Sequence, residues 1–128
     1  MGMHSENQLA AIVVNICVEI HKTYGPGMFE NVYETLLAYE LQKIGIHIAR
    51  QKTISLCHEG IIMDVAYKAD LILEDKLIVE VKSVAGLEDL HYKQVITYLK
   101  ITDCRLGLLI NFNVPLIKNG IHRIVNKL

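Results

Sequence analysis

In Leu77-Ile78-Val79-Glu80-Val81-Lys82, two charged residues interrupt an otherwise apolar run. Residues two apart on a strand share a face, so Glu80 and Lys82 point the same way. Ions on a central strand are unfavourable unless they are paired or bind a metal. Just upstream, Asp70 stands in Tyr67-Lys68-Ala69-Asp70-Leu71-Ile72-Leu73. Leu71 and Leu73 take one face of that segment, leaving Asp70 on the other with Lys68 and Ile72. The short turn Glu74-Asp75-Lys76 then sets Asp70 beside Glu80 and Lys82. Two adjacent carboxylates repel and raise each other's pKa. A hard divalent cation removes the conflict, and magnesium in particular prefers one or two carboxylates plus water and phosphate oxygens. Lys82 would polarise an attacking water or steady the charge that builds on a phosphoryl group. A plainer arrangement uses the same residues: a Glu80–Lys82 ion pair on a half-exposed strand, with Asp70 merely solvated.

The elements that must position these residues are legible from periodicity. Ser5-Glu6-Asn7-Gln8 reads as a capping box. Leu9, Ile12, Val13, Ile16, Cys17 and Ile20 then recur at helical spacing, up to a stop at Gly25-Pro26-Gly27. A second helix follows, with Met28, Val32, Leu36, Leu41 and Ile44 as its apolar residues and Gly45 as its terminator. From Ile46 the period becomes two. Strands are expected over Thr53–Cys57, Ile61–Leu73 and Leu77–Val84, the last apolar on both faces as in a covered central strand. Helical spacing returns over Gly86–Ile101, and Leu106–Phe112 is a further apolar strand. Asn119-Gly120, between Val114–Lys118 and Ile121–Val125, predicts a C-terminal hairpin. The expected fold is α/β: one mixed sheet flanked by helices, with a parallel strand–helix–strand crossover from Leu77 to Phe112.

The 128 residues are expected to form a single domain spanning 1–128, without repeats or linkers. With 52% hydrophobic and 21% charged residues the composition is that of a globular chain, and no apolar run is long enough to span a bilayer. The opening Met1-Gly2-Met3-His4-Ser5 lacks the basic-then-apolar pattern of a leader, so a soluble cytoplasmic protein is the expectation. Cys17, Cys57 and Cys104 are odd in number and far apart, which argues against a disulfide framework, a zinc knuckle or an iron–sulfur cluster, and predicts three unreactive thiols. His4, His21, His47, His58 and His122 are scattered without ligand spacing. The net charge of −1 lacks the basic excess that usually accompanies strong non-specific nucleic-acid binding.

Asp70 followed by Glu80-Val81-Lys82 resembles the D…E-x-K signature of the PD-(D/E)xK nuclease superfamily. Gly27-Met28-Phe29-Glu30-Asn31-Val32-Tyr33 reads G-x-x-E-x-x-Y, the motif of the GxxExxY protein family, which is classed with these nucleases. Gln94-Val95-Ile96-Thr97-Tyr98 is similar to the Q-x-x-x-Y motif of the RecB-type branch. The likeness runs from about the first helix to the C-terminus and departs at Ala69, where a proline would precede the aspartate. It implies a restriction-endonuclease-like core with an extra N-terminal helix, and magnesium or manganese held by Asp70, Glu80 and the Val81 carbonyl. Lys82 would assist the water nucleophile, and Glu30 would approach the metal or hold one of its waters. Gln94 and Tyr98, one helical turn apart, would brace the site or touch the nucleic-acid backbone, and His91 on the same face would contact phosphate. The implied activity is hydrolysis of phosphodiester bonds in nucleic acid, DNA being the expected form, with no membrane partner. The near-neutral charge adds the expectation of a homodimer or a protein partner. It also keeps open a second reading, a catalytically silent interaction module on the same fold.

Overall fold

The computed structural model describes residues 3–128, apart from the side chains of Val65 and Ala66; Met1 and Gly2, at the start of the segment read above for a leader, lie outside the described residues. The chain order is α1 (Glu6–Tyr24), α2 (Glu30–Lys43), β1 (Ile48–His58), β2 (Ile61–Leu73), β3 (Leu77–Lys82), α3 (Asp89–Thr102), β4 (Leu106–Asn111), a short 3-10 turn (Ile117–Asn119) and β5 (Ile121–Val125). The five strands form one mixed sheet in the order β1-β2-β3-β4-β5, in which β3 and β4 are parallel and the other pairs antiparallel. The expected α/β architecture and the parallel β3–α3–β4 crossover are both present. Among the described residues no helix is long and apolar enough to cross a membrane.

The sheet separates two apolar layers. Helices α1 and α2 cover one face, where Leu9, Val13, Cys17, Tyr33, Leu37 and Leu41 meet Leu71, Val79, Val81, Leu108 and Phe112. Helix α3 covers the other, where Val95, Tyr98 and Leu99 meet Ile72, Ile78 and Leu109. β3 alternates between these layers, and that alternation puts Glu80 and Lys82 on the α3 side. The α1 cap forms as read, with Ser5 Oγ accepting from Gln8 N and Gln8 Oε1 from Ser5 N.

Three expectations are corrected. The buried face of α2 is shifted from the one the apolar residues suggest: Leu41 is buried and Met28 and Leu36 pack against the core as expected, but the centre of the face lies elsewhere. Tyr33, Glu34, Leu37, Ala38 and Leu41 face inward, while Val32 and Ile44 are exposed. Polar groups sit inside there because they are satisfied: the Tyr33 hydroxyl donates to Gly25 O at 2.5 Å and accepts from Met28 N at 3.2 Å, and its ring stacks on Phe112 at 4.3 Å. β1 is longer than Thr53–Cys57, and its first half is concealed by a break in alternation at Gln51. Finally, Val114–Lys118 is not a strand; the C-terminal antiparallel pair is β4 with β5. Gly120 has an ordinary φ of −98° and serves no left-handed turn. It is there because a Cβ would lie 2.0 Å from the Asn111 carbonyl oxygen.

Tyr33 therefore ties the α1–α2 turn to the core. Tyr33→Phe keeps the ring stack but strands the partners of the hydroxyl. Its expected loss is about 1–2 kcal/mol, read as a lower urea midpoint at unchanged m-value.

Candidate functional site

β2 pairs with β3 only over Leu71–Val79, Ile72–Ile78 and Leu73–Leu77. Beyond Leu71 the strands separate, and side chains take over the ladder. Asp70 Oδ2 accepts from Val81 N at 2.9 Å, and Asp70 N donates to Glu80 Oε1 at 3.3 Å. Asp70 thus lies at the fork between the two strands, next to Glu80. In an extended chain the N–H and C=O of one residue point to the same edge, so the Val81 carbonyl is directed to the side on which Asp70 lies.

Glu80 is only 5% exposed, and the neighbour it faces is Asp70, whose amide donates to it. Burial, joined by the charge of Asp70, pushes its carboxyl up to about 9, and the opposing pull of Lys82 does not cancel this. Among the described residues Lys82 makes neither an ion pair nor a hydrogen bond through its side chain, so the Glu80–Lys82 ion pair is not formed. What stands here is a buried acid beside a second carboxylate, with an ammonium group close by and uncommitted. Two carboxylates and a backbone carbonyl are hard oxygen donors, a set that fits a small divalent cation with water completing its shell. No group of three or more His, Cys, Asp or Glu side chains gathers among the described residues, so water or phosphate oxygens would have to supply the remaining positions.

Tyr98 comes from α3 into the same field: after burial, the charges of Glu80 and Asp70 raise its hydroxyl, and its ring meets Tyr67 edge-on at 5.9 Å. Gln94, one turn earlier, is half-buried on that helix. His91 has a different job, since its Nδ1 accepts from Glu88 N at 2.9 Å and caps α3. Glu30 is exposed and touches the end of β3, where its Oε2 accepts from Ser83 N at 3.4 Å. Among the described residues it makes no hydrogen bond to Asp70 or Glu80. Around it Met28, Phe29, Asn31, Ser83 and Asn113 line an open cleft of about 540 Å³.

Glu34, one turn along α2 from Glu30, was missed by sequence reasoning. It is buried and faces Asp70 through Gln51. Gln51 Nε2 donates to Glu34 Oε1 at 2.8 Å and to Asp70 Oδ1 at 2.9 Å, while Arg50 Nη2 and Nε hold Glu34 Oε2 at 3.0 and 3.2 Å. Burial and the nearby Asp70 charge raise the Glu34 carboxyl, and the Arg50 and Gln51 bonds work the other way. The available signal was the i, i+4 spacing of Glu30 and Glu34, which places both along one stripe of the helix.

On the β4 side, buried Asn111 stands opposite Lys82. Its Oδ1 accepts from Val84 N at 3.1 Å and its Nδ2 donates to Val84 O at 3.0 Å, pinning the chain that leaves the site. Cys17 is buried, and burial drives its thiol up to about 12; Cys104 is likewise buried and raised, whereas Cys57 is exposed.

A family model described as the PD-(D/E)XK nuclease superfamily matches residues 7–124, nearly the whole chain. No curated protein and no solved structure matches it.

Proposed function

We propose a nuclease mechanism for this chain, which belongs to the PD-(D/E)XK nuclease superfamily: Asp70, Glu80 and Lys82 form the centre of a metal-dependent enzyme that hydrolyses phosphodiester bonds of nucleic acid, DNA being the expected substrate. Nucleases of this superfamily generally use divalent metals. The observation that carries the reading is buried Glu80 set against Asp70 at the strand fork, with Lys82 left uncommitted. Asp70, Glu80 and the Val81 carbonyl would hold magnesium or manganese. When bound, the cation supplies a water of lowered pKa and neutralises charge on the scissile phosphate.

The remaining work falls to the chain. Lys82, on the same face as Glu80, orients the water and offsets charge on the phosphoryl oxygens. Asp70 holds its carboxylate plane through Val81 N. Tyr98, and Gln94 one turn before it, brace the acidic pair from the α3 side or meet the nucleic-acid backbone. Glu30 holds water at the open end of the site, and His91, through the ring nitrogen its cap does not use, would contact phosphate. The Gly27–Tyr33 motif supports placing the chain in the GxxExxY branch, and the fold supports one domain over 1–128. With 14 acidic against 13 basic residues, grip on nucleic acid calls for a second copy or a protein partner.

Incubating the protein with single-stranded, duplex and branched DNA in magnesium or manganese tests this. Cleavage is expected in wild type and not in Asp70→Asn or in metal-free buffer. Equal cutting by Asp70→Asn would overturn it, and no cutting by wild type on any of the three substrates would overturn it in favour of the silent module.

A further inference from the structure

We infer that Gln51 is a positioning residue of the acidic site, whose amide locks the Asp70 carboxylate to Glu34 so that Asp70 is presented to a cation in one orientation. The inference rests on the metal-site reading above and adds to it a residue from β1.

Three observations carry it. The first is the hydrogen-bond chain. A primary amide has two N–H donors, and Gln51 Nε2 reaches one carboxylate with each, Glu34 Oε1 at 2.8 Å and Asp70 Oδ1 at 2.9 Å. Arg50 closes one end of this chain on Glu34 Oε2, and Val81 N closes the other on Asp70 Oδ2. Both oxygens of Asp70 are therefore engaged, from opposite sides and by different strands. That fixes the plane of the carboxylate, the property a metal ligand needs from its supporting residues.

The second is the backbone. Gln51 has φ +50°, and among the described residues it is the one non-glycine residue with positive φ inside a strand; the others lie in turns or beyond strand and helix ends. A strained conformation in mid-strand persists only where the surroundings hold it, and such residues gather at functional sites.

The third is the sheet. Arg50 pairs with Leu71 and Lys52 with Ala69, but Gln51 and Asp70 form no bridge between them. At that step the facing reverses. Ile48 and Leu71 pack in the α1–α2 layer, whereas Ile54 and Ala69 pack in the α3 layer, although the members of each strand's pair are an even number of residues apart. Both strands turn over together at Gln51 and Asp70, and there the Gln51 amide donates to Asp70 Oδ1 at 2.9 Å. Gln51 itself remains exposed, so solvation alone does not require this geometry.

Gln51→Gly separates positioning from folding. Glycine adopts φ +50° freely, so relief of strain offsets the entropy of an added glycine, and the lost hydrogen bond to buried Glu34 leaves a net fall of about 3–8 °C in melting temperature with the protein still folded. The amide is lost, and manganese affinity, measured by calorimetry without nucleic acid, should fall about 10–100-fold. Gln51→Glu, which crowds three carboxylates together, should weaken metal binding as well and lower the melting temperature at neutral pH. A Gln51→Gly protein that binds manganese like wild type, or one that unfolds, overturns the assignment. Wild type that binds manganese but cuts no nucleic acid removes the nuclease reading and leaves this inference to be judged on affinity. Wild type that binds no manganese takes both down.

Discussion

Replacing Glu80 by glutamine is expected to abolish metal-dependent cleavage while making the metal-free protein more stable. The folded-state pKa of Glu80 lies above its unfolded value, at about 9 against 4.5. A carboxyl shifted in that direction stabilises the fold fully below about pH 4.5, and the contribution is lost as pH rises towards 9. At pH 8 wild type must therefore take up a proton at Glu80 on folding, and the cost of doing so is most of the penalty. The amide introduced by Glu80→Gln would be neutral at every pH and still accept from the Asp70 N–H. Discounted from 1.36 kcal/mol per pKa unit, the gain at pH 8 is about 2–4 kcal/mol. For a chain of this size that is a rise of roughly 5–15 °C in melting temperature. At pH 4 the two proteins should melt together. Adding manganese should raise the melting temperature of wild type and leave Glu80→Gln unmoved, because only a ligand of the native state adds stability. Loss of transition-state charge stabilisation amounts to several kcal/mol, so cleavage should fall by at least about 10³-fold. A variant more stable than its parent and inactive would mark Glu80 as kept for chemistry at the expense of the fold. A Glu80→Gln protein less stable than wild type at pH 8 would show that the site tolerates its charge by some other means.

Gly120→Ala should be the most damaging conservative change outside the site. Its Cβ would fall 2.0 Å from the Asn111 carbonyl and 3.0 Å from a Val114 methyl, and backbone cannot yield as a side-chain end can. The same residue's carbonyl accepts from Asn111 N at 2.8 Å, so relief of the clash breaks that bond too. We expect a loss of about 2–4 kcal/mol, read as a melting temperature lower by roughly 5–15 °C. Because Asn111 faces Lys82 and pins Val84, residual folded protein should also cut more slowly. A Gly120→Ala protein with wild-type stability would mean that the β4–β5 connection can move freely.

The sheet, its helices and the acidic pair were legible because each left a periodic trace. The turn at Glu74-Asp75-Lys76 fixed which residues of β2 and β3 adjoin, and two-residue alternation then put Glu80 and Lys82 on one face. Asp70 was expected on a face and was found at the fork, since alternation presumes a regular strand and this one rotates at its centre. The same rotation hid the first half of β1. Glu34 escaped notice because a buried carboxylate on α2 makes sense only once Arg50 and Gln51 arrive from a distant strand. Asn119-Gly120 misled for a related reason: glycine there answers to close backbone approach, which no local pattern records. Glu30 was placed near the metal or one of its waters on its motif alone, and the fold adds that its carboxylate accepts from Ser83 N at the edge of the cleft.

The most direct test of the acidic site is a crystal grown with manganese and measured for anomalous scattering. One peak is expected within about 2.0–2.2 Å of oxygens from both Asp70 and Glu80, with the Val81 carbonyl in the same shell. A peak elsewhere on the molecule, or an Asp70 turned away from Glu80 with no peak between them, would contradict it.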